Sequence, residues 1–170
     1  MKDILVYSFT HTKIRNISCE VMNELKHVDR FAIDCTTNEI GLKQTADLLS
    51  LITDVRYKYI LGIGIYSGTE LRNETLAKNK FRNTPVVINA PEYYYIGEFI
   101  QDMAFKISER MGNYWCNMTA YVIRSCIVDN KLLSLNGFIH VPNDAGSIAK
   151  YAKTIQHTID ELSLPKAYNS

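Results

Sequence analysis

The side chains in this sequence that could do chemistry are one cysteine, one histidine and a pair of glutamates. Cys116 stands in Ser108-Glu-Arg-Met-Gly-Asn-Tyr-Trp-Cys116-Asn117, a short strand-like stretch and a glycine turn leading into a long apolar segment. Unpaired amides at a helix start favour the thiolate, the nucleophilic form of cysteine. Against that, a free cysteine is more often inert packing than a nucleophile. His140, in Gly137-Phe-Ile-His140-Val-Pro142, follows 24 residues later at the end of a strand-like run. A strand end can turn an imidazole toward the crevice that a helix start faces, so the two could form a nucleophile and base pair. The plain alternative is a hydrogen-bonded histidine at a sheet edge. His11 and His27 fall in turn-like segments and His157 on the polar side of the last helix, which leaves His140 as the best-placed base. Glu70 and Glu74 follow a glycine-rich stretch. A carboxylate in a loop at the same sheet edge could orient the imidazole, although surface solvation is the ordinary fate of a glutamate.

Gly62, Gly64 and Gly68 occur as GIGIYSG. They neither open directly into a helix, as a dinucleotide turn requires, nor precede Lys and Ser or Thr, as a phosphate loop requires. The pattern predicts a tight backbone turn at the carboxyl edge of a sheet.

The elements that must position these groups are legible in outline. Residues 4–8 and 31–35 read as strands, and 59–65 as a third, buried one. Residues 18–26 read as a helix with Ser18 as N-cap, and 42–53 as a second helix behind Gly41. This strand–helix alternation predicts a mostly parallel sheet covered on both faces. The second half is less regular. Residues 85–90, 105–108 and 135–141 are strand candidates, 96–104 a short helix, 115–128 a long apolar helix and 144–162 an amphipathic terminal helix.

At 170 residues, 46% apolar and 22% charged, with 8 Gly and 4 Pro, the chain predicts one domain over residues 1–170 with its own core. A net charge of +1 gives no electrostatic argument for nucleic acid or an anionic membrane as partner. No apolar run approaches the roughly 18 residues of a membrane span, and the N-terminus lacks a secretory pattern, so a cytoplasmic protein is expected. The four cysteines, Cys19, Cys35, Cys116 and Cys126, contain no Cys-x-x-Cys pair. They predict reduced thiols, with neither metal nor cofactor.

Taken together, the motifs resemble a family. Residues 108–117 are similar to the nucleophile motif of pyroglutamyl peptidases, with Met111 in place of the usual Ala. Gly137 to Pro142 resembles the family's catalytic-histidine motif, and Glu74-Thr-Leu-Ala-Lys-Asn79 its catalytic-glutamate motif, with Thr75 for the usual basic residue. The opening MKDILVYSF and Asn16-Ile-Ser18 resemble the first strand and the Asn-Pro-Ser helix start. Four segments in the family's order cover nearly the whole chain. The resemblance implies Cys116 as nucleophile, His140 as base then acid, and Glu74 as the imidazole's partner. It implies a three-layer α/β/α sandwich of the phosphorylase/hydrolase-like kind and, because the family is often tetrameric, a homodimer or homotetramer.

The departures from the family fall in the substrate-binding positions. Phe9 matches the first of two phenylalanines that sandwich the substrate lactam, whereas Thr12 stands at the second. Ile65 aligns with a glutamine, Tyr114 keeps an aromatic, and Asn16 heads the first helix. Arg82 corresponds, across a gap, to an arginine of the oxyanion site. The stretch between Glu74 and Cys116 looks shortened by a helix and a strand. The expected substrate is a peptide or small amide with an N-terminal pyroglutamyl or related acyl group. The alternatives are a diverged homologue acting on another small amide, or a non-catalytic binding module.

Overall fold

A computed structural model describes residues 2–11 and 15–164. The first apolar run forms β1 (Lys2–Thr10), buried from Ile4 to Phe9, as a strand with neighbours on both edges and both faces must be. It is followed by α1 (Ile17–Glu24), β2 (Asp29–Asp34), α2 (Asn38–Val55) and β3 (Tyr57–Tyr66). Then come the short strands β4 (Arg72–Glu74), β5 (Leu76–Lys78), β6 (Tyr93–Tyr95) and β7 (Lys106–Ser108). The chain closes with α3 (Trp115–Asp129), β8 (Leu135–Pro142) and α4 (Ile148–Ser163).

The main sheet has the order β2-β1-β3-β8-β4-β7. β2, β1, β3 and β8 run parallel, while β4 pairs antiparallel with β8 and parallel with β7. β5 and β6 form a separate antiparallel ribbon.

Side-chain alternation along the strands sorts the core into two layers. Ile4, Val6, Leu61, Ile63, Ile139 and Val141 pack on one face with Val21 and Met22 of α1 and Ile155 and Ile159 of α4. Leu5, Tyr7, Phe9, Ile33, Ile60 and Phe138 pack on the other with Leu48 and Ile52 of α2 and Ala120, Ile123 and Ile127 of α3. The mostly parallel sheet between two helical layers is thus the three-layer α/β/α sandwich the sequence predicts.

Several local expectations are corrected. Gly62 and Gly64 lie within β3, inside the strand read over residues 59–65, and the tight turn expected from the glycine pattern does not form at them. Glycine serves there by close approach: a β-carbon on Gly62 would stand 2.5 Å from Tyr7 Cζ and 2.6 Å from Phe138 Cε2. Gly41 lies inside α2, where a β-carbon would meet the Trp115 indole at 2.5 Å. The N-cap of α1 is Asn16, not Ser18, because the Asn16 Oδ1 reaches the Ser18 amide at 3.1 Å.

Residues 85–90 form turns instead of a strand. The Asn79 carboxamide oxygen takes the amides of Val86 and Val87 at 2.8 and 2.9 Å, so these are spent on a side chain rather than a ladder. Residues 96–104 form no helix. Gly97 is left-handed, with φ of +73°, and the Asn73 side-chain amide donates to Gly97 O and Ile100 O at 3.1 and 3.0 Å. Among the described residues no helix lies between β4 and α3. None is long and apolar enough to cross a membrane.

Candidate active site

The sheet's two-residue period places the chemistry on one face. On β8, Phe138 and His140 both point toward the α2/α3 layer, and so does Gly64 on the neighbouring β3, which is in register with His140. Glu74 comes from the antiparallel strand β4, on the other side of β8, and not from a loop. Its carboxylate is fully buried, and Oε1 lies 2.8 Å from His140 Nδ1. Burial works against the charged carboxylate. The His140 hydrogen bond and charge outweigh it, helped by the Ser108 hydroxyl and the Arg72 guanidinium, and hold Glu74 below the usual carboxylate range. A carboxylate only accepts, so Nδ1 carries the proton in this bond and Nε2 is left free.

Cys116 enters from α3. Its position follows from two features of its helix start. Asn117, fully buried, donates to the backbone oxygens of Lys78 and Lys80 at 2.9 and 2.6 Å and accepts from the Lys78 amide at 2.8 Å. This ties the first turn of α3 to the segment that follows Glu74. The Trp115 indole packs against Gly41 of α2.

A β-carbon built on Gly64 would stand 2.7 Å from Cys116 Sγ and 3.1 Å from His140 Cδ2. The sulfur and Cδ2 are therefore no further apart than the sum of 2.7 and 3.1 Å, 5.8 Å. Cδ2 adjoins Nε2, so the ring edge opposite the Glu74 bond lies beside Gly64, as the sulfur does. Cys116 keeps part of its surface exposed. Burial pushes its thiol up to about 12, with Cys35 and Glu74 adding to the rise and the helix-start backbone opposing it. Tyr114, the N-cap of α3, makes no side-chain cap bond, so it leaves the first-turn amides uncapped.

The other positions singled out in the sequence are scattered around this centre. Phe9 is 3% exposed and shares the α2/α3 face, its ring 6.0 Å from Tyr7 and 6.2 Å from Phe138. Tyr114, at the start of α3, is 66% exposed. Ile65 is not brought to the site: one residue along β3 from Gly64, it packs against the α1/α4 layer. The Asn16 oxygen is occupied by the Ser18 amide and hydroxyl. The Arg82 backbone amide bonds Asn113 O at 2.6 Å, next to the α3 start, but its guanidinium reaches Asn38 Oδ1 at 3.4 Å. Thr12 lies outside the described residues. Glu70 is held by Lys106 at 3.0 Å on the surface. Among the described residues no cluster of three or more His, Cys, Asp or Glu could hold a metal.

Solved structures share this architecture. Pyroglutamyl peptidase I from Bacillus amyloliquefaciens superposes with a TM-score of 0.80 over 93% of this chain and 95% of that one, at 16% identity. The fold is that of the pyroglutamyl peptidases. The pyrrolidone carboxyl peptidase of Thermococcus litoralis gives 0.80 at 15% identity, covering 96% of this chain and 93% of that one. A mutant pyrrolidone carboxyl peptidase (A199P) from Pyrococcus furiosus gives 0.77 at 17% identity, covering 94% and 97%. No family model and no curated protein matches the sequence.

Sequence reading of the pyroglutamyl-peptidase fold misses Tyr66 and Arg72. The Tyr66 ring lies 5.8 Å from that of His140, and the Arg72 guanidinium carbon sits 4.0 Å over the Tyr66 ring. An Arg two residues before a candidate Glu on a short strand is the only signal that could have drawn attention to them.

Proposed function

We propose that this protein is a cysteine hydrolase that removes an N-terminal pyroglutamyl group, or a related small acyl group, from peptides. Cys116 is the nucleophile, His140 the base and then acid, and Glu74 the imidazole's orienting partner. The observation that carries this reading is the buried 2.8 Å bond between His140 and Glu74, with the opposite ring edge turned to the space above Gly64 where the Cys116 sulfur lies. The acyl class rests on the fold's neighbours, which are pyroglutamyl and pyrrolidone carboxyl peptidases.

With the thiol pushed up to about 12, the resting nucleophile is neutral and gives up its proton as it attacks. Nε2 takes the proton, the sulfur bonds the carbonyl carbon, and the carbonyl electrons move to oxygen. The uncapped first-turn amides of α3 face that charge, with Arg82 as a second contributor. Collapse breaks the carbon–nitrogen bond, and the amine leaves with the proton from His140. Water then gives a proton to His140 and attacks the thioester, and the sulfur departs and regains the proton. Peptide and water become a free acyl acid and a shortened peptide. Phe9 and Tyr114 wall the substrate.

Purified protein should release dye from a pyroglutamyl p-nitroanilide, and Cys116→Ala should abolish the release. An alanine variant that keeps its activity would end this mechanism. A second reading, a homologue hydrolysing a different small amide, is favoured by Ile65. That side chain packs on the far face of the sheet and offers the substrate no hydrogen bond. Losing such a partner for a buried lactam costs about 1–3 kcal/mol. Under the second reading the pyroglutamyl amide is not turned over, while acetyl or other small acyl anilides acylate Cys116.

A further inference from the structure

We infer that Tyr66 and Arg72 are positioning residues for His140, a stacked pair that holds the imidazole against Glu74 with its Nε2 edge toward Cys116. The catalytic consequence rests on the hydrolase reading above; the geometry does not. His140 is 4% exposed and has ring neighbours in two directions. Phe138 meets it edge-on, with centroids 5.1 Å apart and planes at 68°, and Tyr66 lies at 5.8 Å and 39°. Both distances fall in the range of attractive aromatic pairs. The β4–β8 pairing sets Arg72 opposite His140, and from there its guanidinium covers the Tyr66 ring at 4.0 Å, a cation–π contact.

The segment joining β3 to β4 is shaped around the Tyr66 ring. The Tyr66 hydroxyl donates to Glu70 O and accepts from the Glu70 amide at 3.0 Å, so both of its hydrogen-bonding functions end on one backbone residue. Glu70 is tied by its side chain to Lys106 of β7 at 3.0 Å. Gly68 has no side chain where one would collide with the ring, since a β-carbon there would stand 2.5 Å from Tyr66 Cζ. A tyrosine that only filled space at a strand end would not need a glycine, a doubly anchored hydroxyl and a guanidinium on its face. The Arg72 charge also favours the ionised form of Glu74, so the same pair supports both members of the hydrogen bond. Among the described residues Arg72 forms no salt bridge, which leaves its charge to these two tasks.

The test reads the His140–Glu74 bond directly. Proton spectra of the wild-type protein should show a low-field, slowly exchanging imidazole Nδ1–H signal that disappears in Glu74→Gln. In Tyr66→Leu and Arg72→Met that signal is expected to broaden into solvent exchange. kcat on pyroglutamyl p-nitroanilide should fall about tenfold or more, because small misplacements of a catalytic group are costly, while KM stays within about twofold. Tyr66→Phe and Arg72→Lys, which keep ring and cation, should retain the signal and lose no more than about threefold in kcat. Folded Tyr66→Leu and Arg72→Met proteins with an unchanged signal and exchange rate overturn the proposal. Should Tyr66→Leu fail to fold, Arg72→Met decides alone. If the wild type turns over no amide but its signal responds as described, the hydrolase reading fails and the positioning pair stands.

Discussion

Cys116 is surrounded by groups that keep it a thiol, and that has a measurable consequence. Its acidity is shifted upward by burial, Cys35 and Glu74, so alkylation by iodoacetamide should be slow at neutral pH. The rate should climb about tenfold per pH unit toward the folded value, because only the thiolate reacts. Mass spectrometry against a Cys116→Ser control reads the rate, and a plateau already reached at neutral pH would contradict the neutral resting thiol. Glu74 is shifted the other way. With a folded value below the ordinary ~4.3, the unfolded chain binds more protons between the two values. The stability that Glu74 contributes is therefore present above about pH 4.3 and lost as pH falls through the folded value. Glu74→Gln should flatten the acid side of a melting-temperature profile, while Glu74→Ala, which leaves the buried imidazole Nδ1–H without a partner, should cost about 1–3 kcal/mol in denaturant titrations. At this scale the sequence was informative about residue types: cysteine, histidine and glutamate were singled out by their motifs. It was silent on Tyr66 and Arg72, whose importance depends on which ring they touch.

Between the elements, the decisive contact is the one β3 makes with α3. Gly64 lets α3 settle onto the sheet with the Cys116 sulfur against the strand and the imidazole beside it. Gly64→Ala should force Cys116 and His140 apart. It should cost about 1–3 kcal/mol of overpacking, with a larger loss in pyroglutamyl amidase activity than in thermal stability; an alanine variant of full activity would show that the approach is not needed. The glycines are where pattern reading failed most plainly. GIGIYSG looks like a turn because glycine usually marks one, whereas two of the three sit in the buried strand that the apolar run 59–65 predicts and answer to side chains distant in sequence. The same cause explains residues 85–90, where a β-branched run that should extend is captured by the Asn79 carboxamide. Local propensity is weak beside a pair of satisfied backbone amides.

At the scale of the molecule, the six-stranded sheet is shared by two apolar layers, so the layers should not unfold independently. Leu48 of α2 and Ile155 of α4 are both fully buried, on opposite faces of the sheet. Leu48→Ala and Ile155→Ala should each cost about 2–5 kcal/mol and shift a single calorimetric transition. Two separated transitions in either variant would argue against one cooperative domain. Similarity in fold to pyroglutamyl peptidases at 15–17% identity is what such shared layers allow, since a core tolerates wide substitution while volume and pattern are kept.

The sequence by itself determined the sandwich and the candidate chemistry. Apolar runs at period two and helical spacing are local signals that survive in any one chain, and the motif residues stand at recognisable intervals. Only the tertiary structure decided that Glu74 reaches His140 from an antiparallel strand, that Ile65 faces away from the centre, and that the Tyr66 ring lies by the imidazole with Arg72 over its face. Each of these depends on strand order and on the parity of a residue within its strand. A shift of one position exchanges the two faces of a sheet, and no local pattern records which strand will lie alongside.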